Sequence, residues 1–277
     1  MGICKFIKQR MNFRLVRFEK LIYSNWFNPL LTLYLNFRSF PFHQARKFPI
    51  FVYGWPKMFS LYGKMVCVGP CMTGMIKLNY IDLYMPNNPV CSTAILNDGT
   101  IFFHGRCHIG TANKISVYGN GVLELGNDVI IMCECNISVA TNVKIGAHSR
   151  ISHRSQILDT NYHYVADFNN HIVQHFSKTV EIGSSCWICH SSTISLGVKL
   201  PNKTIVASHS LVNKDMSHIP EESIIGGVPA KLIRTGYRLV QNEKLTKELL
   251  TYYGDNLNTD YYPLENNVDH SICDVEE

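Results

Sequence analysis

The sequence lacks the features of a membrane-spanning or a disulfide-stabilised protein. No apolar run reaches about 18 residues, the length expected of a transmembrane helix. The basic amino terminus leads into no apolar core with a small-residue cleavage site, so no secretory signal is predicted. The ten cysteines follow no regular spacing and suggest neither a zinc ribbon nor a disulfide framework. These absences predict a cytoplasmic protein whose thiols are small buried hydrophobes.

Acidic residues are nearly absent from the amino-terminal part of the chain. Residues 1–64 hold eleven Lys and Arg but one acid, Glu19, whereas the last 23 residues hold seven acids and no base. Near Ile7–Ile22, apolar and basic residues recur with helical spacing, which is typical of an interfacial helix on an anionic membrane. Residues 1–50 would then contact the inner face of the cell membrane. Alternatively, residues 1–60 cap a repeat structure or pack on a neighbouring subunit. No nucleic-acid partner is expected.

What the sequence does contain is a period of six. It fits neither an α-helix nor a single strand, but it is typical of a chain that turns a corner every six residues. Three such sides form a coil of 18 residues, and coils stacked at strand spacing form a parallel β-helix of the hexapeptide type. The large aliphatics are Ile182, Ile188, Ile194, Leu200, Val206 and Val212, and the smaller residues four places later are Cys186, Ser192, Val198, Thr204 and Ser210.

Shorter runs with the same period fill the middle of the chain. After Ile157 the next position in frame is His163, and a polar, aromatic loop over residues 164–179 interrupts the period until Ile182. Long loops on a regular scaffold often carry function. We expect a cap or membrane segment at 1–60, a β-helix at 61–235, and a helix near Tyr237–Tyr253 with an acidic tail within 236–277. The shorter runs are Ile145, Ile151, Ile157; Leu125, Ile131, Ile137, Val143; Ile109, Ile115; and Ile95, Ile101, Cys107.

Four motifs between residues 95 and 235 resemble the hexapeptide-repeat acyltransferases, in the branch of galactoside, maltose and polysaccharide O-acetyltransferases. The resemblance implies a mainly-β, left-handed parallel β-helix that transfers an acetyl group from acetyl-CoA without a metal. A homotrimer with an active site at each seam is also expected, because the coils have flat faces and a lone coil would leave the loop after His163 unsupported. The motifs are Asp159-Thr-Asn-Tyr-His163, Ile182-Gly-Ser-Ser-Cys-Trp187-Ile188, Ser210-Leu-Val-Asn-Lys214-Asp215 and Gly227-Val-Pro-Ala-Lys231-Leu-Ile-Arg234.

The resemblance also implies roles for individual residues. His163 has the place of the family's general base, and an imidazole can accept a hydroxyl proton at neutral pH. Asp159, or a backbone carbonyl of its loop, would orient the ring, although a carboxylate in a tight turn often bonds only its own backbone. His190 and Ser208 replace the family's usual small residues. The residues implied in acetyl-CoA binding are Trp187, His190, Ser208, Asn213, Lys214, Lys231 and Arg234.

The acceptor is expected to be a sugar hydroxyl, in capsule, lipopolysaccharide or another surface glycan. Glu134 and Asn136, about one and a half coils before His163, are candidates to face it, and solvated corners explain them equally well. Two other classes of function stay open. One is a zinc enzyme of the γ-carbonic-anhydrase kind with His148, His153 and either His104 or His108 as ligands. The other is a β-helix that binds partners without catalysis.

Overall fold

The computed structural model describes residues 26–80, 91–256 and 258–276, so the predicted helix near Ile7–Ile22 lies outside the described residues. Within these ranges no helix has the length and apolar character needed to cross a membrane. The helices described there are α1 (Pro29–Ser39), α2 (Phe42–Ala45), α3 (Glu243–Asp255) and a 3-10 helix at His270–Cys273.

The rest of the described chain is dominated by short strands. They are β1 (Ile50–Val52), β2 (Lys57–Ser60), β3 (Lys64–Cys67), β4 (Ile76–Leu78), β5 (Ala94–Asn97), β6 (Thr100–Phe103), β7 (Cys107–Ile109), β8 (Lys114–Val117), β9 (Val122–Leu125), β10 (Val129–Ile131), β11 (Asn136–Val139), β12 (Asn142–Ile145), β13 (Arg150–Ile151), β14 (Gln156–Leu158), β15 (Val165–Asp167), β16 (Ile172–Gln174), β17 (Val180–Ile182), β18 (Trp187–Ile188), β19 (Thr193–Ile194), β20 (Lys199–Leu200), β21 (Ile205–Val206), β22 (Leu211–Val212), β23 (Ser223–Gly227) and β24 (Ala230–Thr235).

These strands form three long sheets, each of which the chain visits once per coil. Sheet 1 has the order β1-β4-β7-β10-β13-β18-β21-β23-β24, sheet 2 the order β2-β5-β8-β11-β14-β19-β22, and sheet 3 the order β20-β17-β12-β9-β6-β3. Successive strands within a sheet are parallel, except that β23 and β24 form an antiparallel pair. The predicted mainly-β parallel β-helix of the hexapeptide type is therefore confirmed.

The period of six places one aliphatic side chain inward on each side of a coil. Ile182, Ile188 and Ile194 lie in β17, β18 and β19, and all three are buried. Burial of such a side chain contributes about 1.5–3 kcal/mol. A Cβ atom at Gly183 would lie 2.6 Å from the backbone nitrogen of Asn202 in the next coil, so this corner requires glycine. The inner column thus explains why the period is so regular in this part of the chain.

The amino-terminal end of the β-helix is capped by α1. Its Asn36 side chain donates to the Ile50 carbonyl (2.8 Å) and accepts from the Ile50 amide (3.2 Å), and Thr32 Oγ1 accepts from the Val52 amide (3.0 Å). These side chains satisfy the free edge of β1, while Leu35 is fully buried beneath the helix. In the described part of the amino-terminal segment, α1 thus covers the edge of β1. Since β1 and β2 already belong to sheets 1 and 2, the first coil starts before the predicted boundary at residue 61.

The carboxyl-terminal helix begins later than predicted. Asn242 accepts a hydrogen bond from the Leu245 amide (2.9 Å) and so caps α3 at Glu243 instead of near Tyr237. The chain after α3 returns to the β-helix, where Arg238 pairs with Glu222 (3.3 Å) and with Asp274.

Three corners join the sheets. The 1/2 corner, between sheets 1 and 2, comprises residues 132–135, 152–155, 189–192 and 207–210. The 2/3 corner comprises residues 140–141, 159–179, 195–198 and 213–216. The 3/1 corner comprises residues 104–106, 126–128, 146–149, 183–186 and 201–204.

Candidate functional site

A loop at the 2/3 corner is the main interruption of the coils in the described chain. It leaves after β14, forms an antiparallel hairpin from β15 and β16, and returns to β17. The base of the loop is closed by a bridge between Thr160 and Ser177 and by a hydrogen bond from the Asn161 amide to the Phe176 carbonyl (2.8 Å). The predicted loop over residues 164–179 thus has a fixed stem on the β-helix.

Asp159 anchors this stem to the preceding coil. Its carboxylate is fully buried and accepts hydrogen bonds from the backbone amides of Ala140 (2.7 Å), Thr141 (2.7 Å) and Asn142 (2.8 Å). Burial raises the pKa of the Asp159 carboxyl, and the three amide hydrogen bonds oppose this rise. No hydrogen bond joins Asp159 to His163. The Asp159 carboxylate thus bonds the backbone of the preceding coil and not that of its own turn, and these contacts give the orienting role no support.

His163 lies just above this anchor. It is exposed, and within the described chain its imidazole has no hydrogen bond, ion pair or ring contact. The structure therefore leaves both ring nitrogens accessible to an incoming hydroxyl. A predicted base must be reachable in this way, so the position of His163 is compatible with its predicted role.

Aromatic side chains that the sequence did not single out lie on either side of His163 along the chain. Tyr162 contacts Tyr118 with ring centroids 5.8 Å apart, and Tyr164 contacts Phe176 at 5.1 Å. Phe176 stacks in turn on His175 at 4.8 Å. Tyr162 and Tyr164 flank His163 in the sequence and were visible there, whereas Tyr118 reaches the site only because the coils stack. Two aromatic pairs, Tyr118–Tyr162 and Tyr164–Phe176, are thus formed by the residues that flank the candidate base in sequence.

A second group of predicted residues lies at the 1/2 corner. Ser208 Oγ lies 2.8 Å from His190 Nδ1 in the coil below, and Trp187 Nε1 donates to Ser152 Oγ (3.0 Å). His190 stacks on His153 with ring centroids 5.6 Å apart. Glu134 pairs with Arg154 at the same corner, and Asn136 begins the strand that follows it. One edge of the β-helix, made of the 1/2 corner and the strands beside it, therefore holds Trp187, His190, Ser208, Glu134 and Asn136.

The remaining predicted acetyl-CoA residues lie elsewhere. Asn213 and Lys214 are exposed at the 2/3 corner, in the coils beyond the loop that holds His163. Lys231 and Arg234 lie on β24, where the Arg234 guanidinium donates to the Tyr237 hydroxyl (3.0 Å). In a single chain, His163 and the edge formed at the 1/2 corner thus lie on opposite sides of sheet 2.

The structure gives no support to a zinc site. His148 and His104 lie at the 3/1 corner and His153 at the 1/2 corner, and no three His, Cys, Asp or Glu side chains of the described ranges are grouped as metal ligands. Two residues, Trp187 and Ile188, separate Cys186 from Cys189. Burial raises the pKa of Cys186 to about 12 and that of Cys189 to about 11, so neither thiol is poised as a thiolate.

No family model matches the chain. Comparison with known proteins does find relatives by sequence and neighbours by structure. The chain is 27% identical over 148 residues to the putative lipopolysaccharide biosynthesis O-acetyl transferase WbbJ of Escherichia coli K12, covering 50% of this chain and 74% of that protein. It is 30% identical over 115 residues to the putative colanic acid biosynthesis acetyltransferase WcaF of the same strain, covering 40% and 58%. A solved structure of the polySia specific acetyltransferase NeuO superposes with a TM-score of 0.48 at 16% identity, covering 76% and 99%. The two sequence relatives are thus named as putative acetyltransferases of lipopolysaccharide and colanic acid biosynthesis, the class of enzyme that the motifs of this chain resemble.

Proposed function

We propose that this protein transfers an acetyl group from acetyl-CoA to a sugar hydroxyl in the biosynthesis of a surface glycan. One observation carries the proposal: a hexapeptide β-helix opens at one corner into a loop that presents His163 with both ring nitrogens accessible. The sequence relatives support the reaction class, since they are named as acetyltransferases of lipopolysaccharide and colanic acid biosynthesis.

In the proposed reaction His163 acts as general base. Its imidazole takes the proton of the sugar hydroxyl while the oxygen attacks the thioester carbonyl carbon. The tetrahedral intermediate collapses by breaking the carbon–sulfur bond, and the imidazolium returns the proton to the leaving CoA sulfur. The products are an acetyl ester and CoA, and no covalent enzyme intermediate forms. Asp159 contributes by fixing the loop stem, so that His163 is held in place above the corner.

Acetyl-CoA would be bound by the two edges together. Trp187, His190 and Ser208 offer a wall and polar atoms at the 1/2 corner. Asn213 and Lys214 at the 2/3 corner, with Lys231 and Arg234 on β24, offer amide and cationic groups that suit phosphates. Glu134 and Asn136 stay candidates for the acceptor side.

The division of these residues between two corners supports a homotrimer. When three β-helices pack side by side, the 2/3 corner of one chain can face the 1/2 corner of the next, which brings His163 to the partner's edge. We expect light scattering at micromolar concentration to give three times the 31.6 kDa chain mass. A monomer under these conditions would contradict the shared site.

The cap presents a surface that fits an anionic membrane. Within α1, Leu30, Leu33, Tyr34 and Phe37 follow helical spacing and are 71%, 50%, 52% and 44% exposed. Arg38 and Arg46 are exposed beside them, and residues 20–81 contain no acid. We propose that this surface, together with residues 1–25, places the protein on the membrane, where each base contributes about 1 kcal/mol at low salt.

This membrane contact can be tested at the exposed side chains of α1. The double variant Leu33→Ser/Phe37→Ser is expected to co-sediment with anionic liposomes several-fold less than the wild-type chain, because apolar area no longer inserts. Leu250→Ser, a change at an exposed leucine on α3, serves as the control. High salt should weaken liposome binding only in part, because salt screens the attraction between basic residues and anionic lipids but not the insertion of aromatic side chains into the membrane. A full-length chain that never binds liposomes would end the proposal.

The reaction itself is tested with labelled acetyl-CoA and a panel of acceptors. The panel contains capsule and lipopolysaccharide intermediates, sugar nucleotides and small glycosides. Label is expected in an alkali-labile form on at least one glycan. If no acceptor is labelled and acetyl-CoA does not raise the melting temperature of the protein, the chain is a binding β-helix and not an acetyltransferase.

A further inference from the structure

A cavity of about 420 Å³ opens on the outer face of sheet 1, beside the 3/1 corner. Its wall includes Lys77, His108 and Ile130, which occupy register partners in β4, β7 and β10. Their neighbours along each strand point into the core, so these three side chains face outward together. Arg106 and Asp128 line the cavity from the corner itself. None of these residues belongs to the edges proposed for acetyl transfer.

The charge in this cavity is positive. Arg106 is exposed, and its guanidinium has no hydrogen bond or ion pair among the described residues. Lys77 Nζ lies 4.6 Å from the centre of the Tyr80 ring and has no carboxylate partner in the same ranges. The acid at the rim, Asp128, is already paired with Arg150 (2.6 Å) and lies 3.4 Å from His148 Nδ1. Two cations thus remain for a ligand.

The cavity also offers apolar surface. Met72 and Ile130 contribute thioether and aliphatic surface to its lining. His108 lines the cavity too, and its ring packs against Tyr80 with ring centroids 4.8 Å apart. Pockets of a few hundred Å³ with an apolar wall and a few converging polar groups are typical of small-molecule sites. A sugar ring with one negative substituent matches both the size and the chemistry.

The location of the cavity keeps it apart from the seams of the proposed trimer. The seams use the 1/2 and 2/3 corners, whereas the cavity adjoins the 3/1 corner. The carboxyl-terminal segment packs on the same corner, where Gln241 Nε2 donates to the His148 carbonyl (2.7 Å). A ligand at this place would therefore be held away from His163.

We propose that this cavity binds an anionic sugar unit, carrying a carboxylate or a phosphate, of the glycan acceptor. Arg106 and Lys77 would hold the anionic group by charge-assisted hydrogen bonds, and Met72 and Ile130 would contact the sugar ring. The inference that the ligand is part of the acceptor rests on the proposed function. The site would retain an acidic glycan while another of its residues reaches the catalytic corner.

The proposal is tested by calorimetry on the full-length protein without acetyl-CoA, so that its outcome does not depend on acetyl transfer. The probes are glucose 1-phosphate, glucuronic acid, glucose and inorganic phosphate. We expect at least one sugar anion to bind, while glucose does not. Binding of glucose 1-phosphate alone identifies a phosphate-bearing unit, and binding of glucuronic acid alone identifies a carboxylated one.

Matched variants locate the binding. Arg106→Ala and Lys77→Met are each expected to raise the dissociation constant of the sugar anion about tenfold. Lys114→Met, at an exposed lysine on sheet 2, is expected to leave this constant unchanged. CoA affinity should be the same in all three variants. The proposal is overturned if neither sugar anion binds, if glucose binds equally well, or if Arg106→Ala and Lys77→Met both bind like the wild type. Inorganic phosphate binding as tightly as glucose 1-phosphate would also overturn it, since the sugar would then contribute nothing.

Discussion

Replacing His163 with alanine is expected to lower kcat by at least about a hundredfold while the dissociation constant of CoA changes little. General-base catalysis contributes about 10²–10⁴ in rate, which corresponds to about 2.7–5.5 kcal/mol of transition-state stabilisation. CoA affinity is expected to persist because Trp187, His190 and Ser208 lie at another corner. Steady-state kinetics with a glycan acceptor and calorimetry with CoA measure the two quantities separately.

A second histidine on the same loop provides the control. His171 lies at the tip of the hairpin with φ of +57°, so His171→Asn, which tolerates this conformation, is the matched change. Its kcat should stay within a few-fold of the wild type. A loss of tenfold or less for His163→Ala, about 1.4 kcal/mol, would be too small for the proposed base.

Changing Asp159 to asparagine is expected to destabilise the protein by about 3 kcal/mol. Asp159 now accepts hydrogen bonds from three backbone amides, and the side-chain NH2 group of asparagine would face at least one of them. Each buried N–H donor that loses its acceptor costs about 1–3 kcal/mol. Urea unfolding followed by circular dichroism measures the change. Asp167→Asn, at an exposed turn of the hairpin, should leave stability within about 0.5 kcal/mol.

The same variant separates two roles for Asp159. If Asp159 only anchors the loop, kcat should recover at temperatures well below the melting point, since His163 keeps its ring and its access. If Asp159 orients the imidazole, kcat stays low even where the variant is fully folded, and the pH–rate profile shifts. The second result would contradict the contacts described above.

The β-helix could be predicted because the sequence pattern that specifies it is local. Each inward position repeats after six residues, and the positions from Ile182 to Val212 are all buried as expected. The frame slip near Val143 has a simple cause in the coil lengths. Register partners Ile188 and Val206 are 18 positions apart, whereas Ile131 and Ile151, which bound the coil that contains Val143, are 20 apart, so this coil holds two extra residues.

The arrangement of the candidate site could not be predicted in the same way. Asp159 is 17 to 19 positions from the amides it binds, a distance that depends on how two coils align and not on the local turn. Whether His163 and His190 share a corner also depends on counting strands from the loop, which the interrupted period obscures. The capping role of α1 rests on the hydrogen bonds of Thr32 and Asn36 to the edge of β1. Polar residues within a helix do not by themselves predict such a partner.

The most direct test of the proposed chemistry follows the labelled acetyl group through a single turnover. Direct transfer with His163 as base predicts that protein mixed with labelled acetyl-CoA, without acceptor, carries no label after quenching. Once the acceptor is added, the label should move to an alkali-labile ester on the glycan in the wild type, and His163→Ala should form this ester at least about a hundredfold more slowly. Labelled protein in the absence of acceptor, or ester formed by His163→Ala at the wild-type rate, would contradict direct transfer at this site.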